Sequence, residues 1–109
     1  VKVSVPEATA FDLVRYAPKI GGLERAMETM LPMLSRLRRD VLKAVLVAED
    51  EVSTSQRLGW VFEKLGFEKL AAIVFDWLPG SLPVVPLVLG SGREGDGAVI
   101  RKWGVRENL

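Results

Sequence analysis

The sequence contains no cysteine and no histidine. Without cysteine there is no disulfide framework, no thiolate nucleophile and no Cys-ligated zinc. Without histidine the commonest general base and the commonest transition-metal ligand are missing. Neither a Ser-His-Asp nor a Cys-His mechanism can be assembled. An excess of one charge is lacking too. Lys and Arg number 15 and Asp and Glu 14, a net charge of +1, which gives no global pull toward nucleic acid or a membrane surface. No apolar run reaches the roughly 18 residues needed to span a bilayer. The most apolar stretch, Val84 to Leu89, is the length of a strand. The opening VKVSVPE has no signal-peptide core. Absent cysteine is compatible with the cytosol, and a cytoplasmic location without a membrane partner is the expectation.

What is present suffices for a core. Of 109 residues, 49% are hydrophobic, and the length suits a single domain over residues 1–109. The chain opens on Val1 rather than methionine, so we read it as part of something longer.

Val1, Val3 and Val5 alternate with Lys2 and Ser4, the period of a half-buried strand. Ser4-Val5-Pro6-Glu7 then predicts a helix start: Ser4 as cap, Pro6 where a missing N–H costs nothing, Glu7 at the positive helix end. That helix carries Ala8, Phe11, Leu13 and Val14 and stops at Pro18. Gly21-Gly22 opens a second helix with Leu23, Ala26, Met27, Met30, Leu31, Leu34 and Leu37 at helical spacing, which Pro32 should kink or split. A third segment from Asp40 turns Leu42, Val45 and Leu46 inward and ends at Glu49-Asp50-Glu51. Ser53, Thr54 or Ser55 caps a fourth helix with the stripe Leu58, Val61, Phe62 and Leu65, closed by Gly66. Glu68 starts a fifth, with Leu70, Ile73, Val74 and Trp77 on one face before Pro79-Gly80.

Beyond residue 80 the pattern changes. SLPVVPLVLG reads as a loop and short strand, GSGREGDG as a turn-rich connector, and GAVIRKWGVREN as a final strand that pairs with the first. The predicted fold class is α+β: about five helices forming the core, packed with a small sheet made from the N-terminal strand and the C-terminal strands.

Gly90, Gly92 and Gly95 match G-x-G-x-x-G, but a strand pattern follows where phosphate binding needs a helix N-terminus. We therefore read a hairpin connection and expect no cofactor. The carboxylates Asp12, Glu24, Glu28, Glu63 and Asp76 form no acid–base pair, and Glu49-Asp50-Glu51 reads as a solvated charge run. Neither catalytic nor metal-binding residues are assigned. Met27, Met30 and Met33 read as core filling.

The basic cluster Arg36, Arg38, Arg39 and Lys43 is opposed locally by Asp40 alone. One reading is a solvated helix end whose cations complement the helix dipole. The other is a patch for an anionic partner, DNA phosphate or an acidic protein surface. Trp77 reads as core, whereas Trp60 lies off its helix's stripe and is expected to be partly exposed. Gln56, Arg57 and Trp60 form a second candidate contact surface.

Four segments in this order, SVPEATAFDLVRY, GGLERAMETMLPML, STSQRLGWVFEKLG and RKWGVRENL, resemble the C-terminal domain of AbiEi-type antitoxins. The residues that carry the resemblance include Pro6, Glu7, Thr9, Asp12, Leu13, Tyr16, Gly21, Gly22, Leu23, Gln56, Arg57, Leu58, Gly59, Glu63, Leu65, Gly66 and Trp103. Pro32 inside the second helix departs from it. The resemblance implies a non-catalytic part of a bacterial transcriptional repressor of a toxin–antitoxin and phage-defence operon. It implies that this part neutralises a nucleotidyltransferase-like toxin, directly or indirectly. Operator DNA would be read by a winged helix-turn-helix domain outside this chain. An alternative is a domain that supports DNA binding, or forms a homo-oligomer, without an antitoxin role. A carboxylate-and-metal enzyme is a third reading, for which no acid–base pair is visible.

Overall fold

The computed structural model describes residues 5–89 and 92–108. The expected strand at residues 1–4, with its Ser4 cap, lies outside them. Val5 is the extended N-cap of α1, Pro6–Arg15, whose Pro6 sits in the first turn. α1 buries Glu7, Ala10, Phe11 and Val14. A 3₁₀ turn, Ala17–Lys19, forms around Pro18. Gly21 and Gly22 follow with φ of 105° and 100°, a left-handed pair that reverses the chain into α2, Leu23–Met30.

Pro32 splits the second helix, as its missing N–H requires. α2 gives way directly to a 3₁₀ segment, Leu31–Arg36. Met30 is buried, and Met27 and Met33 pack against the core at its edge. α3, Arg39–Glu49, buries Leu42 and Leu46, and its C-cap Asp50 takes the left-handed conformation at φ 50°. α4, Val52–Lys64, starts earlier than expected. Its N-cap is Glu51, so Ser53, Thr54 and Ser55 lie in its first turns, and the Thr54 hydroxyl donates to the Glu51 carboxylate at 2.9 Å. A Schellman closure ends α4. The Gly66 N–H (φ 86°) bonds Glu63 O at 3.1 Å and the Phe67 N–H bonds Phe62 O at 2.8 Å. α5, Glu68–Trp77, then packs along α4 with Leu70, Ala71, Ile73 and Val74 buried.

The sheet comes from the C-terminal segment. β1 is Val85–Pro86, β2 Val99–Ile100 and β3 Val105–Arg106, in the order β1-β3-β2. β3 runs parallel to β1 and antiparallel to β2. The predicted final strand is therefore corrected to a tight hairpin. The turn at 101–104 separates β2 from β3, with the Gly104 N–H on Ile100 O at 2.8 Å and Gly104 at φ 63°. Pro86 is tolerated because β1 is an edge strand. Among the described residues, β3 pairs with β1 on one side and β2 on the other.

α4 is the centre. Nine consecutive residues, Thr54 to Phe62, are buried. One side of α4 meets α1 and α5, and the C-terminal segment covers another. The approach is tight at Gly59, where an added Cβ would fall 2.1 Å from a carbon of the Trp103 indole.

Candidate functional site

The polar residues of α4 turn inward. Gln56 is completely buried, and its Nε2 donates to Pro83 O at 2.7 Å, Trp103 O at 2.9 Å and Gly104 O at 3.3 Å. Trp60, expected to be partly exposed, is buried. Its indole N–H donates to Glu107 at 2.8 Å, and Lys64 lies over its ring. One turn further on, Glu63 accepts from Lys102 Nζ at 2.6 Å and from the Trp103 indole N–H at 3.3 Å. The second candidate surface is thus corrected. Gln56 and Trp60 fasten the C-terminal segment onto α4, because the face of α4 away from the apolar stripe is covered too. The signal for this lay in Gly59 and the small residues Ser53 to Ser55, which let neighbours approach a helix closely.

Arg57 is also buried, with 9% of its surface exposed, yet differs from its neighbours. Its Nε donates to Pro86 O at 2.8 Å. Among the described residues no carboxylate pairs with the guanidinium, and burial lowers its pKa from the ordinary arginine value. Arginine stays protonated in proteins, and the terminal nitrogens of this one reach solvent at the rim of a cleft. The other walls of that cleft are Val14, Ala17, Pro18, Gly22, Leu23 and the segment Leu87 to Leu89. The cleft is narrow, with a cavity volume of about 20 Å³.

The cationic cluster stands at the opening of α3. Arg36 ends the 3₁₀ segment, Arg38 is the N-cap residue, Arg39 opens the helix and Lys43 lies one turn on; all four are exposed. The helix-dipole explanation is corrected here. A helix N-terminus is its positive end, where Arg38 and Arg39 are each unfavourable by about 0.3–1 kcal/mol, while Arg36 lies in the last turn of the 3₁₀ segment and Lys43 beyond the first turn of α3. Arg39 and Lys43, at i and i+4, also repel. The Arg38–Asp40 contact, at 3.6 Å between exposed side chains, offsets little of this. Arg38 is held by its backbone, whose N–H donates to the buried Glu7 carboxylate of α1.

The acidic run is not simply a solvated face. Arg15 pairs with Glu49 and, at 3.2 Å, with Glu51. Burial opposes the Arg15 charge, but the contacts to Glu49, Tyr16 and Glu51 outweigh it and hold its pKa above the ordinary range. Asn108, which drew no attention in the sequence, extends the β1–β3 pairing. Its amide accepts from Val88 N–H and donates to Val88 O, both at 2.9 Å. Among the described residues no cluster of three or more Asp and Glu is placed to hold a metal ion, and no helix is long and apolar enough to cross a membrane.

No curated protein and no solved structure matches the chain. The family model of the AbiEi antitoxin C-terminal domain matches residues 1–64, from the N-terminus to the last residue of α4. That match covers more than half of the sequence and includes the cationic cluster and the buried polar row of α4 as far as Glu63: the chain belongs to the AbiEi antitoxin C-terminal domain family.

Proposed function

We propose that this domain is a non-catalytic antitoxin module that neutralises a nucleotidyltransferase-like toxin through macromolecular contact, using Arg36, Arg38, Arg39 and Lys43 as its charged surface. The observation that carries this reading is the position of the four cations. They are exposed around the N-terminus of α3, where the dipole disfavours Arg38 and Arg39, and among the described residues their counter-charge is Asp40, at 3.6 Å from Arg38. A surface that holds unfavourable charge in the free protein gains when an anionic surface covers it. Family membership supplies the kind of partner, a toxin.

The test is charge reversal. Arg36→Glu, Arg38→Glu and Arg39→Glu combined should leave the thermal midpoint near that of the wild type or higher, while rescue of toxin-arrested growth is lost. Full rescue by the folded triple variant would sink the patch. The same cations suit DNA phosphate, which favours a second reading, a module that adds phosphate contacts to a repressor. Under it the triple variant keeps antitoxin activity, and the full-length repressor binds operator more weakly with a shallower dependence on salt.

A further inference from the structure

α5 ends with an aromatic side chain turned out of the core. Ile73 and Val74 are buried, whereas Phe75 keeps 45% of its surface exposed. A single exposed apolar residue is ordinary, but a contiguous apolar patch rimmed by charge marks a contact site. Phe75 is not single. With Leu78, Pro79 and Leu82 it lines an open groove of about 300 Å³ between the end of α5 and the β2–β3 turn, and that turn contributes Arg101 and Lys102. The volume is that of the smaller small-molecule sites, with room for a large apolar side chain.

The two cations differ. Lys102 Nζ sits 2.6 Å from the Glu63 carboxylate and lies over the rings of Phe75 and Trp103. Arg101 is exposed, and among the described residues no carboxylate lies within ion-pair reach of its side chain. The groove therefore sets one uncompensated positive charge beside an apolar lining. Its frame is already fixed. The Gly104 N–H on Ile100 O at 2.8 Å closes the turn, and the fully buried Trp103 anchors it. Phe75 meets Trp103 edge to face at 5.7 Å. The backbone of the turn and the Phe75 ring thus have little freedom left to lose on binding, which favours association.

A nucleic acid strand is a poor occupant. It presents one phosphate per nucleotide, which calls for a track of cations rather than a single one. A base stacks on an open aromatic face, and Lys102 already lies over the Phe75 ring. An apolar side chain next to a carboxylate uses both the lining and the charge.

We propose that this groove docks a segment of the partner protein in which a large apolar side chain stands beside an aspartate or glutamate. The apolar side chain packs on Phe75, Leu78 and Leu82, and the carboxylate pairs with Arg101. The groove shares no residue with the cluster of Arg36, Arg38, Arg39 and Lys43, and its lining lies beyond residue 64, outside the matched part of the chain. This rests on the antitoxin reading for the identity of the partner, and not for the chemistry of the groove.

Two experiments separate these. In the first, the full chain labelled with ¹⁵N is titrated with acetyl-Glu-Phe-Glu-amide, with its Gln-Phe-Gln counterpart and with oligodeoxythymidylate. The amides of Phe75, Leu78, Leu82, Arg101 and Lys102 should move most with the acidic peptide. Equal shifts with the Gln peptide, larger shifts with the oligonucleotide, or no shift at all would overturn the proposal. In the second, Arg101→Glu and Phe75→Ala are compared with wild type for thermal midpoint and for affinity toward the cognate toxin. Arg101→Glu should keep the wild-type midpoint, and each variant should bind about tenfold more weakly or worse. Because Phe75 also packs on Trp103, Arg101→Glu decides. Unchanged toxin affinity in Arg101→Glu would remove the groove as a toxin contact and leave the antitoxin reading standing. If wild type fails to bind the toxin while the acidic peptide still shifts the groove, the antitoxin reading falls and the groove stands.

Discussion

Gln56 illustrates what a single amide can organise. Its Nε2 faces carbonyls from Pro83, Trp103 and Gly104, which belong to parts of the C-terminal segment far apart in sequence. Gln56→Leu keeps the volume and strands chiefly the Trp103 carbonyl, since Gly104 O still accepts from the Val85 N–H at 2.8 Å and Pro83 is exposed; an acceptor left unsatisfied costs about 1–3 kcal/mol. We expect a loss of about 1–3 kcal/mol in urea denaturation. Gln56→Glu should be worse, because it sets a carboxylate against carbonyl oxygens. A Leu variant within about 0.5 kcal/mol of wild type would refute the role given to the amide. Glu63 makes a prediction in pH. Its pKa is lowered chiefly by the hydrogen bond from Lys102, against an opposing effect of burial, with further help from the Trp103 N–H and the charges of Lys102 and Lys64. A carboxylate with a depressed folded pKa stabilises the fold above its unfolded value of about 4.3, and that contribution is lost as pH falls through the folded pKa. The advantage of wild type over Glu63→Gln in thermal midpoint should therefore shrink steadily between about pH 6 and pH 3. Because the pair is partly exposed, it should also shrink in high salt.

At the scale of elements, the punctuation was readable and the surroundings were not. Pro32 and Gly66 act on the local backbone alone, so a split second helix and a glycine-closed fourth helix follow from residue chemistry. Gly66→Ala isolates that effect. Its φ is 86° and an added Cβ would touch nothing within 4 Å, so the cost is conformational, about 1–2 kcal/mol. Equal thermal midpoints for variant and wild type would contradict the closure. Trp60 and the cationic cluster mark the limit of such reading. Whether a residue off the apolar stripe is exposed depends on what covers that side of the helix, and here the cover comes from residues more than 40 positions away. Whether a charge complements a dipole depends on which helix end it occupies, and Pro32 moved that end. The α+β class was likewise legible, while the hairpin at residues 101–104 was not, because alternation of side chains continues through a turn that only Gly104 announces.

The whole molecule is a helical array clasped by its C-terminal segment. Its hydrogen bonds go chiefly to one helix, α4. Gln56 holds the segment at residues 83, 103 and 104, Arg57 at 86, Trp60 at 107, and Glu63 at 102 and 103. Trp103 fills the space that Gly59 leaves open and meets Phe75 of α5 edge to face at 5.7 Å. The family match ends at residue 64, on the last residue of the helix that receives the clasp. The matched part therefore carries a buried polar row whose partners lie outside it. A chain of residues 1–80 would expose Gln56, Arg57 and Trp60 to water along with the apolar face that Trp103 and Leu87 now cover. Exposing that face forfeits about 25 cal/mol for each Å² of apolar surface left uncovered, and a domain is stabilised by only about 5–15 kcal/mol in total. The shortened chain should keep part of its far-ultraviolet helical signal and lose near-ultraviolet ellipticity and a cooperative thermal transition. Adding residues 81–109 back as a separate peptide should restore the transition, because the clasp is made of contacts rather than of chain continuity. A cooperative transition for residues 1–80 alone, near the wild-type midpoint, would mean that the helices do not need the clasp to fold. The antitoxin surface could then be sought on the helical array by itself.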